Sequence, residues 1–309
     1  MARRTNLTLL AALAASFATG VWALWAGAGD VYLIAWAHGA VGLLVLLLVR
    51  WKVPIMRRGL RRARPDSAAA LMTAAIAALM LATGIAHSLG LSAIGPVTSL
   101  GVHIALALAL LPLVAMHVVA RPQRPRRGDL TRGQLLRLAG LAAAAFAVKA
   151  AFEGTLAAPR AASGSLRRDT PLPTSWVNDS APAAEAGEWT SRLAGLPRRE
   201  VTCALDCTSG WYSVNRWSGV AVSDLLGALP AGTSSVLVSS HTGYSRRFDV
   251  SDLDQLLLAT HLDGVPLTSG NGAPARLVVP GRRGFWWVKW VSSIEPSDRP
   301  GWWQLPFPL

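Results

Sequence analysis

Cys203 and Cys207 are the two cysteines of this chain, four residues apart in "EVTCALDCTSGW". On one straight strand they would share a face roughly 13 Å apart at about 3.3 Å per residue, too far for a disulfide. A zinc site needs four nitrogen or sulfur donors, more than this neighbourhood offers. Taken alone, either cysteine reads as a buried structural thiol. Four histidines stand in long apolar runs: His38, His87, His103 and His117. Polar side chains are costly in lipid, and two of these could ligate a b-type haem inside a four-helix bundle. One haem held by His38 and His103 is the redox reading; helix-to-helix hydrogen bonding in a plain anchor bundle is the other. His103 and His117, fourteen apart, lie near one helix face about 21 Å from each other.

The elements that must position these residues fall into two halves. Five apolar segments, near 7–26, 31–50, 68–90, 97–120 and 136–157, reach the roughly 20 residues a helix needs to cross a bilayer. A first segment this long reads as an uncleaved helix, with a cleaved signal peptide as the alternative. The net charge of +13 sits almost wholly here: residues 1–159 carry 16 Lys or Arg against 4 acids, residues 160–309 carry 14 against 13. Nucleic-acid binding, which wants a basic stripe on a folded domain, is therefore excluded as a reading. The basic residues cluster at Arg3–Arg4, between Arg50 and Arg64, and between Arg121 and Arg137. The positive-inside rule makes those segments cytoplasmic and, with five crossings, places everything after about residue 158 on the extracytoplasmic side of the plasma membrane. The stretch "RRGDLTRGQLLRLAGLAAAA" reads equally as positive-inside charge and as a degraded twin-arginine export signal. No internal repeat stands out.

The sequence divides into a bundle over 1–157, a linker rich in Ala, Ser, Pro and Arg over 158–185, and an α+β domain over 186–309. In that domain "EVTCAL", "SSVLVSS", "ARLVVPG" and "FWWVKWVSSIEP" predict strands, and "SDLDQLLLAT" predicts a short amphipathic helix. The Trp-rich tail "PGWWQLPFPL" is expected to pack in the core, although Trp also favours the membrane interface.

The stretch "CTSGWYSVNRWSGVAVSDLL" (207–226) resembles the molybdenum-ligand segment of the sulfite oxidase superfamily, above all its bacterial periplasmic members related to the methionine sulfoxide reductase catalytic subunit. Cys207, Trp211, Trp217, Gly219 and Leu225–Leu226 match in order and spacing. "NGAPARLVVPGRRGFWWVKW" (271–290) is similar to the family's cofactor-binding signature, and "HTGYSRRF" (241–248) stands where the family supplies a threonine. The resemblance runs from about Arg199 to Leu309. It implies a thiolate role for Cys207 toward molybdenum, phosphate or pterin contacts from Arg276 and Lys289, polar contacts from Thr242 and Asn271, and backbone contacts from Trp287 and Val288. Each fits its chemistry: a soft thiolate suits the metal, and cations suit the phosphate. Gly272 and Gly284 would allow close approach, while Arg282 and Arg283 read as solvated turn residues.

The implied protein is a membrane-anchored molybdopterin oxidoreductase that transfers oxygen atoms on a small S- or N-oxide or a sulfite-like molecule. It would exchange electrons with a membrane carrier or quinone, with haem b as a second cofactor. Thr208, Ser209 and Gly210 depart from the Gly-Asn-Arg-Arg run of sulfite oxidases, which weakens sulfite as the substrate. The region before Cys207 is short, with Asn178 a poor stand-in for the family's asparagine. A non-catalytic sensor or binding module on the same fold, and a b-type cytochrome serving as an electron-transfer partner, are the alternatives.

Overall fold

The structure is a computed structural model, and it describes residues 2–25, 31–61, 67–91, 93–94, 97–129, 131–156, 160–161, 163–167 and 187–304. Most of the expected linker, with Asn178, lies outside them. The chain forms two compact units, the first closing at Leu166 and the second running from Arg167 to Leu309.

In the first unit five helices are long and apolar enough to cross a membrane: α1 (Ala2–Trp25), α2 (Val31–Leu60), α3 (Ser67–Ser88), α4 (Ser99–Ala120) and α5 (Arg132–Thr155). Three outrun the predicted spans at their basic ends. α2 continues ten residues beyond Arg50, because Lys and Arg are good helix formers and a helix need not stop where its apolar stretch does. α5 starts at Arg132 because a capping box between Thr131 and Gln134 satisfies its first donors. The ion pair of Arg3 with Asp129 (2.5 Å) and the hydrogen bond from Lys52 to Asn6 (2.9 Å) bring three polar segments to one end of the bundle. At the other end the chain after α5 folds back. Arg160 donates to the His87 carbonyl (2.9 Å), and the turn at Gly164 packs on Ala35. This part of the expected spacer is therefore bundle structure.

The second unit holds two antiparallel sheets around one core. The first has the order β1 (Arg198–Asp206), β2 (Trp211–Ala221), β5 (Leu257–Leu262), β7 (Arg276–Val278), with β6 (Val265–Pro266) on the edge of β5. The second has the order β8 (Val291–Ser297), β3 (Ser235–Ser240), β4 (Ser245–Asp249). Helices α6 (Gly187–Leu193) and α7 (Val222–Leu226) flank them, and the Trp189 indole donates to the Val291 carbonyl. The "SDLDQLLLAT" helix is absent: Val250–Asp252 is one turn of 3-10 helix, and Leu257 begins a strand. Leu257 and Leu258 are buried on the two faces of that strand and Leu253 and Leu256 are buried ahead of it, a pattern that resembles a buried helix when read by periodicity alone. The "FWWVKWVSSIEP" strand likewise begins only at Val291. Trp302 and Trp303 stand 73% and 56% exposed, so the tail's tryptophans are not core.

Candidate functional site

Cys207 opens a tight turn between β1 and β2. Its N–H donates to the Trp211 carbonyl (2.8 Å), its carbonyl accepts from Gly210 (3.0 Å), and Gly210 takes a φ of +88°. That is a hairpin with glycine at the left-handed position, where a side chain would be strained. The Ser209 N–H points at the Cys207 sulfur (3.5 Å), a donor able to stabilise a thiolate. Cys203 sits on β1, facing Asn215 across the pair. Burial raises its thiol to about 11, so it stays protonated at neutral pH.

Behind the turn lies a pair that sequence reading missed. Arg283, expected in solvent, is buried; it pairs with the equally buried Asp206 (3.6 Å) and donates to the Cys207 carbonyl (3.2 Å). Gly284 follows because a Cβ there would lie 3.2 Å from both the Asp206 oxygen and the Cys207 Cα. Arg282 is half-buried and pairs with Asp252 (2.7 Å). Residues 283–290 then run past the other predicted site residues of this unit. Leu277 donates to the Val288 carbonyl (2.8 Å) beside Arg276, and Trp290 donates to the Gly272 carbonyl (3.3 Å) beside Asn271. Lys289 reaches the Gly270 carbonyl (2.9 Å). The His241 N–H binds the Trp290 carbonyl (3.0 Å), next to Thr242, and the Tyr244 hydroxyl binds the Phe285 carbonyl. One connection thus gathers Cys207, Thr242, Asn271, Arg276 and Lys289. The Trp287 N–H is committed to the Gly284 carbonyl, while the Val288 carbonyl accepts from Leu277 and keeps a second lone pair.

Arg276 is the most unusual residue of this set. It is 4% exposed, lies over the rings of Trp217 (5.3 Å) and Trp287 (5.5 Å), and donates to the Asn271 carbonyl (3.2 Å). Its Nε has no partner, and no carboxylate pairs with it among the described residues. Desolvation lowers the guanidinium to about 10, and the acidic groups that act on it are the thiols of Cys207 and Cys203. A buried cation without an anion is costly, so this arrangement fits a ligand that carries one. Gly272 (φ +105°) shapes the same place: a Cβ would come 3.2–3.3 Å from Lys289 and Arg276. At Gly219, matched in the Trp-x-Gly, a Cβ would strike the Leu258 carbonyl across the sheet.

The first unit holds a second constellation. The His38 and His103 rings lie 6.1 Å apart, nearly perpendicular. His38 Nδ1 is 2.9 Å from the Ser16 carbonyl and His103 Nδ1 is 2.9 Å from the Met80 carbonyl. A carbonyl only accepts, so both Nδ1 atoms carry a proton, and in the neutral imidazole both Nε2 atoms keep a lone pair. Thr19 and Thr83 approach the same Nδ1 atoms, and a Cβ on Gly20 or Gly84 would lie 3.0 or 3.1 Å from a ring Cε1. The two cradles are copies. "SFATG" (16–20) meets His38 as "MLATG" (80–84) meets His103. This is an internal repeat that sequence reading overlooked.

Comparison with known proteins bears on the second unit. The family model "Oxidoreductase molybdopterin binding domain" matches residues 187–303. The chain is 31% identical over 122 residues, 33% of its length, to the protein-methionine-sulfoxide reductase catalytic subunit MsrP of Xanthomonas axonopodis pv. citri, of which it covers 38%. It is 30% identical over 36% of its length to the uncharacterized oxidoreductase YuiH of Bacillus subtilis, covering 60% of it. It is 28% identical over 36% of its length to the mitochondrial sulfite oxidase of Homo sapiens, covering 27%. The chain therefore spans less than two thirds of each of these relatives. With the match over 187–303 and the Cys207-to-Lys289 order both in place, the C-terminal domain belongs to the molybdopterin-binding oxidoreductases of the sulfite oxidase superfamily.

Proposed function

We propose that this protein is a membrane-anchored molybdenum-cofactor oxidoreductase whose C-terminal domain works on the extracytoplasmic side. The observation that carries the reading is Arg276, a buried cation without an anionic partner, held within electrostatic reach of Cys207. Cys207 would hold the metal as a thiolate, helped by the Ser209 N–H. Arg276 and Lys289 would take the phosphate of the pterin, with Thr242 and Asn271 as polar contacts. When bound, molybdenum supplies two-electron oxygen-atom transfer. The chain's own work is to fix the ligand turn through Arg283 and Asp206, and to keep water from the cation with Trp217 and Trp287.

The cations behind Cys207 are spoken for, Arg283 by Asp206 and Arg282 by Asp252. That favours a neutral S- or N-oxide over an anion such as sulfite. The copied cradles around His38 and His103 support haem b between them, a one-electron carrier linking the domain to a quinone or other membrane carrier. The deciding experiment is metal analysis with an optical spectrum on full-length protein in detergent, beside Cys207→Ser. About one molybdenum per chain, lost in the variant, and a Soret band lost in His38→Ala are the expected results. Molybdenum absent from protein made by a host that synthesises the cofactor would leave a binding module on this fold.

A further inference from the structure

Two cations, the buried Lys149 and the half-buried Arg160, lie near the histidine pair at the end of the bundle where the chain folds back. Lys149 of α5 is 7% exposed, and its stem lies against Gly39, the neighbour of His38; a Cβ at Gly39 would come 2.5 Å from Lys149 Cε. Its charge reaches the His38 ring. Arg160 donates to the carbonyls of Gly164 (2.6 Å) and His87 (2.9 Å), the latter three residues beyond the Gly84 that backs His103. The Arg160 Nε is buried without a partner, and burial lowers the guanidinium below its ordinary range. Against these two cations the described residues of this end offer one carboxylate, Glu153, which bonds Lys149. Glu153 also acts on Arg160, so two cations share one carboxylate, and the positive charge left over at this end calls for a further anion.

Resting on the haem reading of His38 and His103, we propose that Lys149 and Arg160 are the receptors for the two carboxylate side groups of that macrocycle. Lys149 would act beside the His38 copy of the cradle and Arg160 beside the His103 copy. The pair would then select a dicarboxylic porphyrin over an uncharged one and fix which edge of the ring faces this end of the bundle.

The test is reconstitution of haem-free, full-length protein in detergent with iron protoporphyrin IX or with its dimethyl ester, followed by the Soret band. The unaltered chain is expected to bind the free acid at least tenfold more tightly. Lys149→Gln and Arg160→Gln should each remove most of that preference, and together all of it, while Lys149→Arg retains it. A full tenfold preference surviving in the double variant would overturn the proposal, since the cations would then be packing residues. Should Lys149→Gln fail to fold, Arg160→Gln and Lys149→Arg still decide the matter. If the unaltered chain binds neither porphyrin, the haem reading itself has failed, an outcome distinct from equal binding of both.

Discussion

Each unit of this molecule uses one small motif twice, and the two duplications differ in what they vary. In the bundle, "SFATG" and "MLATG" present the same carbonyl, threonine and glycine to His38 and His103. In the C-terminal domain, "CTSGW" and "SHTGY" make the same turn. Cys207 and Ser240 each donate to the aromatic four residues on (2.8 Å) and accept from the glycine (3.0 Å). Gly210 and Gly243 take φ of +88° and +85°. The side chain that opens each turn faces the N–H two residues later, sulfur in one and hydroxyl in the other. Repetition that keeps the ligand type builds a site with two equivalent donors. Repetition that keeps only the backbone leaves one turn with a soft donor and the other with none. Turn geometry is thus shared scaffolding, and the chemistry lies in the first atom beyond it.

The comparison breaks most visibly when the first turn is made into the second. Cys207→Ser should abolish molybdenum binding while changing unfolding stability by no more than about 0.5 kcal/mol, a surface-like effect, because Ser240 already shows a hydroxyl satisfying this turn. Metal analysis and urea denaturation on one preparation check both halves of the statement. In the bundle, if haem is held as proposed, His38→Ala and His103→Ala should each remove the Soret band, since each copy of the cradle would supply one ligand. Equal loss from the two variants is the signature of the repeat, and a band that needs only one histidine would contradict it.

Arg283→Met strikes what the two turns do not share. It leaves Asp206 buried beside Cys207 without its cation, and a loss of about 3–5 kcal/mol is expected in denaturant unfolding of the domain. A loss below about 1 kcal/mol would mean that Asp206 is satisfied by its other contacts. Gly243→Ala should cost about 1–2 kcal/mol through left-handed strain alone, because nothing lies near the added Cβ. A neutral result would show that the turn can rearrange.

What the sequence disclosed and what it hid divide along the same line. The family resemblance around Cys207, Arg276 and Lys289 could be read because residue type and glycine spacing are local, and a local run of residues is what a resemblance preserves. The Arg283–Asp206 pair joins residues far apart in the chain, and "GRRG" alone looks like any exposed turn. The predicted helix at 251–260 failed because leucines buried on both faces of a central strand carry no period. Helix existence in the bundle followed from length and apolarity; helix ends did not, since caps and basic residues extend them. The Ala-Thr-Gly repeat was visible as letters, but in a background of alanine and leucine it acquires meaning only when both glycines are found behind imidazole rings.

The smallest effect is expected at Cys203, which shares a strand with the ligand turn yet has a different fate. Burial disfavours its thiolate, so its proton is held until about pH 11, against about 8.5 for an exposed cysteine. Because the thiolate is the reactive form, Cys207→Ser protein, with Cys203 as its one thiol, should alkylate slowly with iodoacetamide at pH 8. The rate should climb about tenfold per pH unit until it levels near 11. A plateau at about 8.5, the exposed value, would mean that the face of β1 toward Asn215 opens to water, or that Arg276 stabilises the anion as much as burial opposes it. Cys203→Ala should leave molybdenum content unchanged in either case, because the proposed ligand, Cys207, belongs to the turn and not to the strand that leads into it.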